Sequence, residues 1–389
     1  MRILLNGTPM LGRLTGIGQY GLRLLEALTT LPDGERPDQI GVFNGRDVLS
    51  AESFFPGLVA DDGGPRHEWL KGLIRRVWPN CRDWADRVRR RRLAKGARLA
   101  DWSLFHEPNF VAPQYALPLV TTVHDMSYLR YPQFMPRDRV AWLRRRMDQS
   151  LRRSRVILTD SHFTRQELLE LCPQVDADRV RVTWLGVDAA YFADPVHAAR
   201  APEVRRRLGL PSEFVLYLGT LEPRKNLQGL VAAYRQLPAE MQAHYPLVLA
   251  GMSGWNQAYF RKELAELRER GVLHQLGYVA QDDVPVLMRE ASVFCFPSFY
   301  EGFGLPPLEA AACGTPVLAS RAASLPEVLG EAAVYVDPHS PDDIAAGLRR
   351  MLDDRRLQAE LRQAGPARAA QFPWQRCARQ TLAAYRRAA

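Results

Sequence analysis

The sequence predicts an α/β protein made of two parallel-sheet domains that face each other across a cleft. Three observations lead there. Short apolar runs alternate with amphipathic helical stretches along the whole chain, as strand–helix units of a parallel sheet do. Several runs end in Gly, Asp, His or Ser, at the strand ends where such sheets place functional groups. The 389 residues suffice for two ordinary domains, and two series of apolar runs lie on either side of a polar, proline-punctuated stretch at 193–211.

In chain order, the first series reads as strands at 2–6, 40–43, 103–106, 119–124, 156–160 and 180–184. The second reads as strands at 214–219, 247–251, 273–276, 293–297, 317–320 and 333–336. The domain boundary is placed at 193/194, giving a first domain over 1–193 with an inserted basic segment at 66–98, and a second over 194–370. Two such domains imply a ligand cleft between them.

Composition narrows the class. Hydrophobic residues make up 47% and charged residues 24%, normal for a globular protein with a sizeable core. No run of eighteen apolar residues occurs, so no spanning helix is expected. The opening Met1-Arg2-Ile3-Leu4-Leu5-Asn6 is too short and turns polar too soon for a signal peptide. Cys81, Cys172, Cys295, Cys313 and Cys377 have no metal-ligand spacing and fit a reducing cytoplasm. The net charge is +9; twelve Lys/Arg against Glu68, Asp83 and Asp86 at 66–98 account for all of it. That distribution indicates a localised anionic partner.

The most informative motif is Glu301-Gly302-Phe303-Gly304-Leu305-Pro306-Pro307-Leu308-Glu309. It follows the buried-strand run at 293–297 and leads into a helix. Such a turn exposes backbone N–H groups where anionic ligands bind, and its two carboxylates can accept hydrogen bonds from sugar or ribose hydroxyls. Gly219-Thr220-Leu221-Glu222-Pro223-Arg224-Lys225-Asn226 also joins a strand to a helix. Its adjacent cations suit a diphosphate, Arg224 as a fork and Lys225 as a point charge, although a solvated surface pair is the plainer alternative. His124, beside Asp125 at a strand end, is either a cleft-facing donor to a substrate hydroxyl or phosphate, or a proton relay, or a histidine satisfied by neighbouring backbone. Ser161 reads first as a helix N-cap and second as a substrate contact. Gly16 and Gly18 belong to a glycine-rich loop that matches neither a dinucleotide fingerprint nor a Walker loop. Tyr278 and Val279, after the strand at 273–276, form either one wall of a base pocket or an ordinary turn. No zinc pattern and no Asp-x-Asp motif occurs, so no catalytic metal and no cofactor is expected.

Taken together, these motifs resemble the retaining nucleotide-sugar glycosyltransferases of family four, which have the GT-B architecture of two Rossmann-like domains. The resemblance spans essentially the whole chain and extends to Pro326-Glu327, Val336-Asp337-Pro338 and the ending from Phe372-Pro373-Trp374. It implies that 371–389 is a closing helix that packs back on the first domain. It implies that Glu309 holds the ribose, and that Glu301 with the backbone of Phe303, Gly304 and Leu305 holds the donor sugar and distal phosphate. Arg224 and Lys225 would neutralise the leaving diphosphate, with Gly219 and Thr220 beside them. His124 would meet the donor sugar at the reaction centre, and Gly16 to Gly18 would lie near the phosphates and the acceptor. The chain is similar to bacterial mannosyl- or deoxyhexosyltransferases that use GDP-sugars to build surface polysaccharides such as O-antigen or exopolysaccharide on lipid-linked or saccharide acceptors. No carboxylate pair is an obvious double-displacement couple, so a metal-independent front-face path is expected.

In the basic segment, Trp69, Leu70, Leu73, Ile74, Val77 and Trp78 recur at helical spacing among Lys71, Arg75, Arg76 and Arg82. An interfacial helix on anionic lipid has that composition, which implies peripheral attachment at the inner face of the cytoplasmic membrane. The plainer alternative is a helix packed on its own domain. Two other functions remain open. A nucleotide-sugar epimerase on the same architecture would consume donor without transfer. A basic nucleic-acid module would leave Glu301 and Glu309 unexplained and has no recognised motif, so no nucleic-acid partner is expected.

Overall fold

The computed structural model describes residues 1–12, 16–56, 88, 91–93, 99–112, 117–252 and 261–389. Nearly all of the basic segment 66–98, and with it the membrane-helix reading, lies outside the described residues. Among the described residues, two separate sheets form. The first has seven strands in the order β3-β2-β1-β4-β5-β6-β7: β1 (Arg2–Asn6), β2 (Gln39–Phe43), β3 (Val48–Ser50), β4 (Leu104–Glu107), β5 (Leu119–Val123), β6 (Ser154–Thr159) and β7 (Val180–Val182). The second has six strands in the order β10-β9-β8-β11-β12-β13: β8 (Val215–Leu218), β9 (Leu247–Ala250), β10 (Leu273–Gly277), β11 (Val293–Phe296), β12 (Val317–Ser320) and β13 (Ala333–Val336).

Among the described strands the second sheet is parallel throughout, and in the first only the β2–β3 pair is antiparallel. All twelve strands expected from the sequence are present, within a residue or two at their ends. The thirteenth, β3, was not foreseen: its three half-buried residues return from a short turn and carry no apolar run. Burial explains why the others were legible. Strands β5, β9, β11 and β12 are buried at every position, and a parallel strand covered on both faces must be apolar along its length. The fold is therefore α/β with two Rossmann-like units.

Strand order reverses direction in each sheet, between β1 and β4 in the first and between β8 and β11 in the second. Open parallel sheets bind ligands in the crevice beyond the carboxyl ends of strands at such switch points. Here the ends of β5 and β6 meet the loop that leaves β11. Gly302 comes so close to the His124 carbonyl that a Cβ on it would lie 1.6 Å from that oxygen. The last helix (Trp374–Ala388) lies on the first sheet, where the Tyr385 hydroxyl bonds His106 Nδ1 of β4 at 2.6 Å.

Candidate active site

The loop after β8 is braced before it is charged. Asn226 takes left-handed backbone (φ 56°) as the N-cap of the helix Leu227–Tyr234, its side chain accepting from the Gly229 N–H. Its amide also donates to the carbonyls of Pro297 and Pro338 at 3.0 and 2.7 Å. One buried side chain thus ties together the loops that follow β8, β11 and β13. This brace fixes the preceding turn, Pro223–Lys225, which carries the two cations.

Those cations converge on Glu301. Lys225 Nζ lies 3.0 Å from Oε1, and Arg224 Nη1 lies 3.0 Å from Oε2. The Ser298 hydroxyl adds a 2.9 Å bond to Oε1. Arg224 also pairs with Glu222 at 2.7 Å and donates to the Tyr300 carbonyl. Burial alone would raise the Glu301 pKa, but Arg224 and Lys225 outweigh it and hold the group at about 2. Glu301 is therefore an ionised carboxylate with both oxygens engaged, a poor nucleophile and a poor proton donor. Arg224, Lys225, Glu222 and Glu301 carry two charges of each sign and balance one another, with Asp125 of the first unit also acting on Arg224.

Beside it, the turn ends in Gly304, at φ 100°, the N-cap of the helix Leu305–Ala312. No side chain caps this helix, and prolines follow at 306 and 307. They remove two of the four N–H groups that a helix start normally offers. The N–H groups of Gly302, Phe303, Gly304 and Leu305 have no acceptor among the described residues. Four donors are thus left for a ligand at the switch point.

One helical turn further on, the Glu309 carboxylate has no hydrogen bond or ion pair among the described residues, although its carbonyl accepts the Cys313 N–H at 3.0 Å. Glu309 is half-buried, and desolvation pushes its pKa up to about 7, with only Arg23 of the first unit opposing the rise. The two glutamates of one motif are therefore in opposite states: Glu301 saturated with cations, Glu309 unpaired.

His124 sits just past β5, wedged between the rings of Tyr20 and Phe110. Its Nε2 donates to the Pro108 carbonyl at 2.7 Å, and its Nδ1 faces Asp160 Oδ2 at 2.6 Å. Burial lowers the His124 pKa, but Asp160 more than compensates, so the net shift is upward. The sequence left this ring as either a substrate contact or a histidine satisfied by neighbouring backbone. Both its nitrogens are engaged inside the protein, one of them by the Pro108 carbonyl, so in this geometry it positions the β5 loop. Its own carbonyl lies against Gly302. Asp125 accepts from the N–H and hydroxyl of Ser127 at 2.9 and 2.6 Å.

Ser161 is the N-cap of the helix His162–Leu171, accepting from the Thr164 N–H, and its hydroxyl donates to the Gly302 carbonyl at 2.6 Å. That hydroxyl is spent on the clasp between the two units and not on substrate. Three further groups make the clasp, and none was anticipated in this role. The Thr164 hydroxyl reaches the same Gly302 carbonyl at 3.1 Å. The Tyr300 hydroxyl accepts from the Met126 N–H and donates to Glu167. Glu327 accepts from the N–H groups of His162 and Phe163 and from Trp184 Nε1, at 2.9, 3.0 and 2.7 Å.

The remaining candidates scatter around this centre. Gly16 and Gly18 form the first turn of the helix Gly16–Thr29, beside β1, with Gly16 exposed. Gly219 approaches Lys225, and Thr220 is exposed. Tyr278 is 57% exposed, Val279 is buried, and the two lie beyond β10 at the far edge of the second sheet. Phe303 is buried and Leu305 half-buried.

Paired cations, N–H groups without an acceptor and a carboxylate without a partner among the described residues, gathered at the switch point of the second sheet, suit an anionic, hydroxyl-bearing ligand. Comparison with known proteins makes this specific. The model of the glycosyl transferases group 1 matches residues 202–368, and that of Glycosyltransferase Family 4 matches residues 54–191. The chain is 35% identical to the O-antigen chain mannosyltransferase B of Escherichia coli over 387 residues, covering 99% of this chain and 100% of that one. Sucrose-phosphate synthase from Thermosynechococcus elongatus superposes with a TM-score of 0.70 at 23% identity, covering 99% and 98% of the two chains. HepE of Anabaena, solved with UDP and glucose, gives 0.66 at 19%, covering 97% of each. The chain belongs to the family 4 glycosyltransferases and has the GT-B fold. It is a glycosyltransferase. No described helix is long and apolar enough to cross a membrane.

Proposed function

We propose that this enzyme is a retaining mannosyltransferase that moves mannose from GDP-mannose to a saccharide or lipid-linked saccharide acceptor during synthesis of a surface polysaccharide. The full-length similarity to an O-antigen mannosyltransferase supports the sugar and the process. A deoxyhexose from the same nucleotide is the second choice.

The observation that carries the chemistry is the Arg224–Glu301–Lys225 cluster beside the unpartnered N–H groups of Gly302 to Leu305. A donor diphosphate entering here adds negative charge to this cluster and meets Arg224, Lys225 and the free N–H groups. Glu309 accepts the ribose hydroxyls. The bond between C1 of the sugar and the diphosphate oxygen breaks, and the acceptor oxygen bonds C1 on the same face. The acceptor proton passes to the departing diphosphate. The cations act most strongly on the charge that develops on that leaving group, which is where catalysis gains. Glu301, fixed at about pKa 2 between two cations, keeps them aimed and forms no covalent intermediate. His124 positions the loop that meets Gly302. The reaction needs no metal in this scheme.

A thermal-shift panel of UDP, GDP, ADP and their sugars tests the donor. Ligand at one hundred times its Kd stabilises by about 2.7 kcal/mol, a shift of several degrees for a protein of this size. GDP and GDP-mannose should give it. Stabilisation by UDP or ADP alone overturns the base assignment, and stabilisation by none overturns the site.

A further inference from the structure

On the carboxyl edge of the second sheet the cation cluster lies above β8 and β11, the loop after the former carrying Arg224 and Lys225 and the loop after the latter Glu301. The stretch beside it, towards β12 and β13, is unused by the chemistry described so far. A cavity of about 420 Å³ lies there, roofed by the first unit. Tyr131, Phe163, Phe299, Tyr300, Arg321 and Asp337 line it. Its volume falls within the range of small-ligand sites.

The lining has the chemistry of a sugar site. Tyr131, Phe134, Phe299 and His339 form one column of rings. Tyr131 and Phe134 stack with centroids 5.6 Å apart, Phe134 and Phe299 at 5.8 Å, and Phe299 and His339 at 4.9 Å. His339 ends the column and is exposed, so its outer face remains for the C–H face of a pyranose, which an electron-rich ring attracts. Polar groups stand beside the rings. Arg321 is exposed and lies over the Tyr335 ring at 5.5 Å, with no ion pair among the described residues. Asp337 is exposed, and its Oδ1 accepts the His339 N–H at 2.8 Å. Its Oδ2 has no partner among the described residues. A fork of donors and a carboxylate beside an aromatic wall can hold vicinal hydroxyls. Ala323 lines the same cavity at φ 53°, a strained conformation for a residue with a side chain, of the kind that gathers at ligand sites.

The cavity also communicates with the reaction centre. Tyr300 contributes its ring to the lining, and its carbonyl accepts from Arg224. Glu301 is the next residue. A saccharide in the cavity would therefore lie on the flank of the Tyr300–Glu301 turn opposite the donor.

We propose that this cavity is a subsite for the acceptor glycan, taking one mannose unit of the growing chain against His339 and hydrogen-bonding its hydroxyls with Arg321 and Asp337. The proposal rests on the reading of the protein as a mannosyltransferase, and its test separates the two. Both test residues are exposed and have no hydrogen bond or ion pair to the cation cluster among the described residues, so Arg321→Ala and His339→Ala should fold normally. Calorimetric titration of the full chain with α-linked mannotetraose, without donor, reads the subsite directly. Each variant should bind about tenfold more weakly, as loss of one charged hydrogen bond or one stacking face implies. In transfer assays the KM for mannotetraose should rise by the same factor, with kcat and the KM for GDP-mannose unchanged. Equal binding by wild type and both variants overturns the subsite, as does no binding by wild type at millimolar tetraose. Wild type that binds tetraose but transfers no mannose contradicts the donor and leaves the subsite to be decided by binding alone.

Discussion

Donor binding should titrate with Glu309. A carboxylate accepts two ribose hydroxyls only when ionised, and burial holds this one at about pKa 7 in the ligand-free enzyme. The sign follows directly. Below the pKa the group must lose a proton before it binds, so affinity rises with pH and levels off above it. With a pKa of about 7 the ionised fraction is about 0.9 at pH 8 and about 0.01 at pH 5. Affinity for a nucleotide-sugar should therefore fall about 90-fold between those values, roughly 2.7 kcal/mol. Isothermal titration with GDP-mannose in the absence of acceptor measures it, because the diphosphate diester of the donor does not titrate in this window. Glu309→Gln should bind weakly at pH 8 and give a nearly flat profile. A flat wild-type profile, or the same slope in the glutamine variant, would refute the assignment of Glu309 to the ribose.

Three further perturbations probe other parts of the account. Gly302→Ala puts a methyl group into the His124 carbonyl, so it should prevent the clasp from closing and reduce kcat/KM at least 100-fold, roughly 2.7 kcal/mol. Near-normal turnover would show that the clasp is dispensable. His106 is buried, and desolvation lowers its pKa to about 3. The unfolded chain takes up its proton first, so this residue's stabilisation is intact above about pH 6.5 and declines at up to about 1.4 kcal/mol per unit as pH falls towards 3. Urea unfolding at pH 7 and pH 5 should show a loss that His106→Gln lacks, and equal losses would contradict the reading. Replacing the arginines at 89–92 by glutamine should weaken co-sedimentation with anionic liposomes and leave transfer to a soluble acceptor intact. Unchanged sedimentation would remove the membrane reading of that segment.

The sheets were legible because a parallel strand buried on both faces must be written in apolar residues, as Val293-Phe294-Cys295-Phe296 is. The strand β3 was not, because three half-buried residues at an antiparallel edge need no such run. The two glutamates could be found by local spacing. Their opposite states could not, because they depend on Arg224 and Lys225 lying 3.0 Å from one carboxylate and on no described residue pairing with the other. The clasp was equally hidden. Glu327 meets the helix at His162, and Ser161 meets Gly302, across well over a hundred residues of chain. Those contacts have no periodicity or local motif to announce them. His124 shows the same limit: its sequence context places it at a strand end, but only the fold brings Pro108 and Asp160 to its two nitrogens.

The central claim is that Lys225 and Glu309 serve one nucleotide-sugar donor. Its most direct test is transfer of radiolabelled mannose from GDP-mannose to an α-mannoside acceptor by wild type, Lys225→Ala and Glu309→Ala, with folding checked by circular dichroism. The account predicts robust transfer by wild type and a loss of at least 100-fold in each variant, with the fold retained. Near-normal transfer by both variants would contradict it.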